Sequence, residues 1–377
     1  MLLLAQFLAQ HRSFRSRAMK QLVSILIPAF NSEQWIGDCL ESALAQTWPR
    51  KEIIVVDDGS GDSTLQVARS YTCANVQVTT QRNRGASAAR NHALSLAQGD
   101  YIQWLDADDL LAPDKIARQL NDAEPGQYSS VLLSGAWSKF FYYPMKSKTT
   151  PHSLWRDHEP LEWLLRQAND NLWMALNSWL VSRKLTEMAG PWNENLSLND
   201  DGDYICRVVS RAKSIRFIPE AKCYVRRVTS SVSSARTLTD GKLDSQLASI
   251  FSQIRSLRSM EDSQRVRAAC LNMLQSWYHL FYPERPDSMR KMKLLATELG
   301  GSLHPPELRP KYRLLQKALG WRIAKKAMFL FPHFRFVLER AWERVIYLPS
   351  SWKKGQRLLL HKQRRKTTQV NTPVHKK

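Results

Sequence analysis

Gly99-Asp100-Tyr101-Ile102-Gln103-Trp104-Leu105-Asp106-Ala107-Asp108-Asp109 is the stretch whose reading decides the fold. Tyr101 to Leu105 is an apolar run with the length and composition of a buried strand. It ends in three carboxylates within four positions. Open α/β sheets bind ligands outside the carboxyl ends of their strands, so acids at such an end sit where chemistry is done. In an extended chain Asp106 and Asp108 share one side. Two carboxylates so held suit a hard divalent cation that also takes phosphate oxygens. Taken alone, Asp108-Asp109 could equally cap a helix starting near Pro113, and the upstream sequence has to decide.

Leu22 to Pro28 is a β-rich run closed by proline, hence a first buried strand. Ala29-Phe30-Asn31-Ser32-Glu33 follows as a loop. Trp35, Ile36, Cys39, Leu40, Ala43 and Leu44 recur at helical spacing. Lys51 to Val56 is a second apolar strand, ending in Asp57-Asp58-Gly59-Ser60. Asp62 and Ser63 can cap a helix over 64–71. Val76 to Val78 is a third, short strand. Asn83-Arg84-Gly85-Ala86-Ser87 opens a helix over 88–97. Strands alternating with helices give a mainly parallel sheet covered on both faces. Asn31, Asp57/Asp58 and Asp106/Asp108 then lie on loops at the carboxyl ends of strands, where such loops cluster.

A chain of 377 residues suggests two or three domains. The formal net charge of +21 is unevenly placed. Residues 236–377 hold 29 Lys/Arg against 10 Asp/Glu, a net of +19, which leaves +2 for residues 1–235. The front is an ordinary globular unit and the tail is polycationic. The five cysteines are scattered, odd in number and without metal-type spacing, and read as reduced thiols in a cytosolic chain. Met1 to Ala9 is apolar but too short to span a bilayer, and its positive charges follow the apolar part rather than precede it. Residues 1–21 therefore read as an extension, with translation expected to start at Met19.

Four motifs, in this order and at this spacing, resemble those of inverting, GT-A-type family 2 glycosyltransferases. They are Val23 to Asn31, Glu52 to Ser60 with Asp62-Ser63-Thr64, Asn83 to Asn91, and Gly99 to Asp109. The match is best over 22–115 and fainter to about 235. The resemblance implies a GT-A domain over 22–235 with a Rossmann-like, mainly parallel sheet. It implies a nucleotide-sugar donor, a UDP-sugar above all, and Mg²⁺ or Mn²⁺ as cofactor. Pro28, Phe30 and Asn31 would shape the base pocket, with Glu33 nearby. Asp58 would accept from a uracil-type N–H, as an ionised carboxylate does well, with Asp57 building its loop. Asn83, Gly85 and Arg90 would lie along the ribose and diphosphate, where a helix start offers free N–H groups. Asp106 would contact ribose or metal, and Asp108 would ligate the metal. Without the resemblance, Glu33 is equally a solvated acid at a helix start, and Arg90 could serve a surface ion pair.

Between 121 and 170 the pattern loosens, punctuated by prolines and by Tyr142, Tyr143, Trp155 and Trp163. These aromatics suit core packing and the stacking of sugar rings about equally. Asn177 to Leu185 reads as a strand running into a helix. Asn199-Asp200-Asp201-Gly202-Asp203 with Arg207 resembles the family's Glu-Asp and following Arg, although Asp200 stands where Glu is usual. One carboxylate here must take the acceptor hydroxyl's proton. The reading selects Asp201 as base, with Asp200 and Asp203 as alternatives. Tyr224-Val225-Arg226-Arg227 with Ser231-Val232-Ser233 resembles the family's terminal element, so Arg226 could reach the diphosphate.

Residues 236–362 read as a basic helical region, with amphipathic patterns at Leu243–Leu257 and Ala268–Leu280, and 363–377 as a disordered basic tail. No run reaches the ~20 apolar residues of a spanning helix. Basic residues mixed with Trp321, Phe331, Phe334 and Trp342 suit an anionic membrane surface, and equally a helical subdomain packed on the enzyme. The resemblance implies transfer of one sugar to a glycan or lipid-linked acceptor, in surface polysaccharide or glycolipid assembly, and the basic tail is expected to place it at the inner face of the membrane. A processive synthase would carry spanning helices and a Gln-x-x-Arg-Trp element, and neither occurs. A metal-dependent sugar nucleotidyltransferase is the nearest chemical rival. A nucleic-acid-binding protein would explain the basic tail, but not the nearly neutral front with acids at three strand ends, and no nucleic-acid partner is expected.

Overall fold

A computed structural model of the chain describes residues 21–122, 129–144, 147, 149–228, 239–308 and, apart from 309, 311, 329, 332, 333 and 335, 310–344. The N-terminal extension, the Ser231/Ser233 element and the final basic tail lie outside the described residues.

The alternation read from the sequence is realised as β1 (Val23–Ala29), α1 (Ile36–Leu44), β2 (Lys51–Asp57), α2 (Thr64–Arg69), β3 (Val76–Thr80), α3 (Ala86–Leu96) and β4 (Tyr101–Trp104). These strands are parallel, in the order β3-β2-β1-β4. A short strand, β7 (Val181–Ser182), closes the edge antiparallel to β4. Successive side chains of a strand point to opposite faces, and the two faces have separate cores. Ile25, Ile27, Ile53 and Val55 join Ile36, Cys39 and Leu40 of α1 on one side. Leu26, Ile54, Val56, Ile102 and Trp104 join Ala89 and Ala93 of α3 on the other. This two-sided burial is why the strands are near-continuous apolar runs rather than alternating ones.

A second sheet, of order β5-β8-β6, was not legible in the sequence. It comprises β5 (Leu110–Leu111), β6 (Val131–Phe140) and β8 (Ser214–Arg226). β6 and β8 pair in parallel from Val131↔Ser214 to Phe140↔Arg226, with a shift of register between Gly135 and Trp137. Strands so far apart in sequence leave no local pairing signal. At the irregularity a Cβ on Gly135 would stand 2.0 Å from the Ala221 carbonyl oxygen, so only glycine allows the approach.

The remaining helices are α4 (Lys115–Asp122), α5 (Pro160–Asp170), α6 (Arg183–Ala189), α7 (Asp200–Arg211), α8 (Asp240–Met260), α9 (Gln264–Phe281) and α10 (Pro286–Glu298). Leu247, Ile250, Ile254, Leu257, Ala269 and Leu274 of α8 and α9 belong to the same core as Leu26 and Trp104. The chain divides into two compact units, one ending at Glu307 and the other formed by Phe141–Tyr143 with the residues from Leu308 onward. Residues 240–298 thus share the core of the first unit although the net charge changes near 236. In the second unit, the described part of 310–344 is mainly helical, around a small core of Leu308, Tyr312 and Ala324. Among the described residues no helix is long and apolar enough to cross a membrane.

Two local expectations change. Asp106 to Asp109 is a tight turn, with the Asp109 N–H donating to the Asp106 carbonyl at 3.0 Å, rather than an extended segment. Asp109 caps no helix: its carboxylate accepts from Asn177 Nδ2 at 3.0 Å and from the Arg226 N–H at 2.9 Å. At α2 the capping acceptor is Asp62, which takes the Thr64 N–H at 3.0 Å, while the Ser63 side chain makes no cap bond.

Candidate active site

The three loops beyond β1, β2 and β3 interlock. Asn31, at φ 46°, accepts the Gly61 N–H on Oδ1 at 2.9 Å and donates its own N–H to Ser60 Oγ at 3.0 Å. Glu33 is exposed and accepts the Ser63 N–H at 3.0 Å, which ties the loop after β1 to the loop after β2. Pro28 is half-buried and Phe30 exposed at 48%. Asp57 is buried and accepts from Thr80 Oγ1 at 2.9 Å. Asp58, also buried, accepts from Gln81 Nε2 at 2.8 Å and from the N–H groups of Arg84 at 2.9 Å and Gly85 at 2.8 Å. A carboxylate offers about four lone-pair sites, so one remains after these three. Gly59, at φ 71°, lies so close to the next loop that an added Cβ would meet the Asn83 nitrogen at 2.9 Å. Gly85, at φ 92°, stands at the start of α3, with Asn83 exposed beside it.

Arg90 of α3 is buried, not a surface ion-pairing residue. Its Nη2 donates to Asp106 at 2.8 Å and its Nη1 to Asp200 at 2.7 Å, and its guanidinium lies 4.4 Å from the centre of the Trp192 ring. Asp200 also accepts from Ser87 Oγ at 3.1 Å. One buried cation therefore joins the loop after β4 to the first turn of α7. The two carboxylates raise its affinity for its proton.

The three acids of α7 part company. Asp200 is held by Arg90. Asp203 is buried and paired with Arg207 at 2.9 Å, whose other donors reach the Ala189, Gly190 and Pro191 carbonyls. That network anchors α7 to the loop after α6. Asp201 has no ion-pair partner among the described residues and accepts only the Gly202 N–H, at 2.9 Å. Burial, and then the neighbouring charge of Asp200, push its carboxyl up to about 6 against the opposing pull of Arg90.

Below the acidic turn lies Arg226. Its Nε donates to the Asp108 carbonyl at 2.8 Å and its Nη2 to Asp38 at 3.1 Å, between the rings of Trp35 and Phe140. Burial and then Asp106 push Asp108 up to about 6. Asp109 is pushed well above the carboxylate range by burial and by Asp108. Asp38, Asn177 and Trp192 belong to this constellation and carried no signal in the sequence. They reach it from α1, from the turn before β7 and from the loop before α7, which only the tertiary fold brings together.

A parallel sheet whose strand ends carry interlocked polar loops and an acidic turn, joined to a second small sheet, defines a GT-A-type fold. The structure of S. aureus TarS 1-349 in complex with UDP-GlcNAc superimposes on 74% of this chain and 88% of its own length, with a TM-score of 0.52 and 19% identity, which establishes the fold. Residues 24–174 match the model of glycosyl transferase family 2, so this part of the chain is similar to that family. An uncharacterised glycosyltransferase of Haemophilus influenzae is 40% identical over 103 residues, 26% of this chain and 41% of that protein. A putative teichuronic acid biosynthesis glycosyltransferase, TuaG, of Bacillus subtilis is 39% identical over 104 residues, 27% of this chain and 41% of its own. The matched stretch spans less than half the length of these curated relatives.

Proposed function

We propose that this chain transfers one sugar from a nucleoside-diphosphate sugar to an acceptor hydroxyl with inversion at the anomeric carbon. The observation that carries this reading is Arg90, which binds Asp106 of the acidic turn and Asp200 of the α7 start at once. It ties the donor side to the helix that carries Asp201. Asp201 is the base: it takes the proton of the acceptor hydroxyl as that oxygen attacks the anomeric carbon, while the nucleoside diphosphate departs. A carboxyl near 6 is a stronger base than an ordinary aspartate and is still ionised at neutral pH. Asp200 and Asp203 are engaged by Arg90 and Arg207, which supports this assignment over the alternatives.

Asn31, Asp57 and Asp58 form the base pocket with Pro28 and Phe30. The remaining acceptor site of Asp58 suits the N–H of a uracil. The TarS relative was crystallised with UDP-GlcNAc, which supports a UDP-sugar as donor. Asn83 and the Gly85 turn at the start of α3 face the diphosphate, where helix N–H groups favour an anion. Arg226 holds the floor of the acidic turn.

Asp106 and Asp108 fit Mg²⁺ or Mn²⁺. Burial of Asp108 beside Asp106 crowds negative charge that a cation relieves. No group of three or more His, Cys, Asp or Glu poised for a metal occurs among the described residues. One or two carboxylates completed by phosphate oxygens and water are a usual Mg²⁺ environment. Such an ion, when bound, supplies Lewis-acid stabilisation of the leaving diphosphate.

The acceptor is a glycan or lipid-linked sugar of surface polysaccharide or glycolipid assembly. The curated relatives include, besides TuaG, a chondroitin synthase of Escherichia coli. The second unit exposes Leu314, Leu330, Phe331, Phe334 and Trp342. Residues 308–377 hold 19 Lys/Arg against 2 Asp/Glu. Apolar and cationic groups together suit the anionic inner face of a membrane, where the chain would act as a peripheral protein.

The test is a panel of nucleotide sugars with and without Mn²⁺, read by thermal stabilisation and by product analysis. Stabilisation by one donor, followed by release of nucleoside diphosphate and an inverted anomer, is expected. Release of pyrophosphate would instead identify a nucleotidyltransferase, and no stabilisation by any nucleotide would overturn the reading.

A further inference from the structure

Asp201 also lines a cavity of about 520 Å³ that no role assigned above uses. Pockets of roughly 300–1,000 Å³ with a few convergent polar groups are the usual receptacle for small ligands. Its walls come from α5, the segment after it, the start of α7, and helices α8 and α9 of the basic region.

The chemistry of the walls is selective. Trp173, 42% exposed, is braced from behind by Trp137, with ring centroids 4.4 Å apart. Trp277 of α9 gives a second, partly exposed ring. Trp163, 1% exposed, lines the same space, and its indole N–H is buried with no hydrogen-bond partner. Gln167, one turn further along α5, likewise has a buried Oε1 without a partner. A buried polar atom left without a partner is costly, so an unused donor and an unused acceptor on two residues that line one cavity are candidate partners for a ligand's hydroxyls. Asp201 is the single charged residue of the lining, which contains no Lys, Arg or His.

We infer that this cavity is the acceptor subsite, and that the group entering it is an uncharged pyranose ring whose hydroxyls meet the Trp163 indole N–H and Gln167 Oε1 while Trp173 and Trp277 cover its apolar faces. This rests on the reading of Asp201 as base. Aromatic rings present the flat apolar surface that a sugar's C–H face needs, and the paired donor and acceptor suit hydroxyls, which both give and take hydrogen bonds. A carboxylate or phosphate on the ring would enter beside the Asp201 carboxylate, while the neighbouring cations are already engaged, Arg90 by Asp106 and Asp200 and Lys139 over the Trp137 and Trp173 rings, so it is disfavoured by like charge. The acceptor's lipid or phosphate portion, if it has one, therefore lies outside the cavity. The wall supplied by Gln253, Met273 and Trp277 makes helices α8 and α9 determinants of acceptor choice.

The experiment uses the full chain with Mn²⁺ and UDP, and 4-nitrophenyl pyranosides as probes: the glucoside, galactoside and N-acetylglucosaminide against the glucuronide. Binding is read by saturation-transfer NMR and competition, alongside calorimetric UDP affinity. At least one neutral glycoside binds at least tenfold more tightly than the glucuronide. Its affinity falls at least tenfold in Trp277→Ala and in Gln167→Leu and is largely restored in Trp277→Phe, while UDP affinity stays within about twofold. Neutral and anionic probes binding equally, neutral binding that survives both substitutions, or no glycoside binding while UDP still binds would each overturn the subsite. Loss of UDP binding in the wild-type chain would instead strike the transferase reading itself. Both substitutions are at partly exposed residues, and an unchanged thermal midpoint confirms that the variants are folded.

Discussion

Replacing Arg90 by Met removes the charge at the centre of the site while roughly keeping the side chain's bulk. The Asp200 pair is the costly one, because that carboxylate is only 18% exposed and Arg90 itself only 7%. Removing one partner of a buried pair costs about 3–5 kcal/mol, since the other charge stays behind without compensation. The Asp106 pair adds little, because that side chain is 39% exposed and such pairs are worth about 0–1 kcal/mol. The contact over Trp192 adds up to about 2 kcal/mol in a desolvated setting, of which a methionine against the ring recovers part. A net loss of about 4 kcal/mol follows from these values. At roughly 2–4 °C per kcal/mol for a domain of this class, the thermal midpoint falls by about 8 °C or more. Tryptophan fluorescence is the assay, because all but Trp321, Trp342 and Trp352 of the 13 tryptophans lie outside the 308–377 segment. Arg90→Lys, a point charge that cannot fork between two acids, falls between the two. Donor turnover drops in both variants. A midpoint within about 2 °C of the wild type together with unchanged turnover in Arg90→Met would refute the claim that this cation organises the site.

Asp201→Asn leaves UDP binding unchanged and lowers transfer by about 10²–10⁴ if Asp201 is the general base; the same loss in Asp200→Asn or Asp203→Asn but not in Asp201→Asn would move the assignment. Because burial and Asp200 push Asp201 up to about 6, the wild-type transfer rate falls as pH drops through about 6, where the base becomes protonated; a rate that holds steady down to pH 4.5 contradicts this. Asp108→Asn abolishes metal-dependent turnover without lowering the thermal midpoint at pH 7. Its carboxyl is held above the ordinary value of 3.8, so the ionised form destabilises the fold at neutral pH and its removal costs none. Full-length protein sediments with vesicles of anionic lipid, less with neutral ones, and is released as salt rises; sedimentation indifferent to lipid charge would point to apolar insertion alone.

The order of strands and helices from residue 22 to about 104 was legible in the sequence. Val23–Ala29, Lys51–Asp57 and Tyr101–Trp104 are largely buried on both faces, so each reads as a near-continuous apolar run, and the polar loops between them mark the strand ends. That period and punctuation sufficed to put Asn31, Asp58 and Asp106 at one edge of a parallel sheet. The positive φ at Gly59 and Gly85 came from the structure, which shows why glycine stands at those two turns. What tertiary structure alone decided involves partners distant in the chain. The pairing of β6 with β8 depends on strands some 80 residues apart. The division of labour among Asp200, Asp201 and Asp203 could not be read from three adjacent acids. It is set by which of them meets Arg90, which meets Arg207, and which is left facing a cavity. The role of helices α8 and α9 was hidden for the same reason. Their amphipathic period announces a buried face, but a period does not say against what, and only packing put Gln253, Met273 and Trp277 in the wall of the cavity that Asp201 lines.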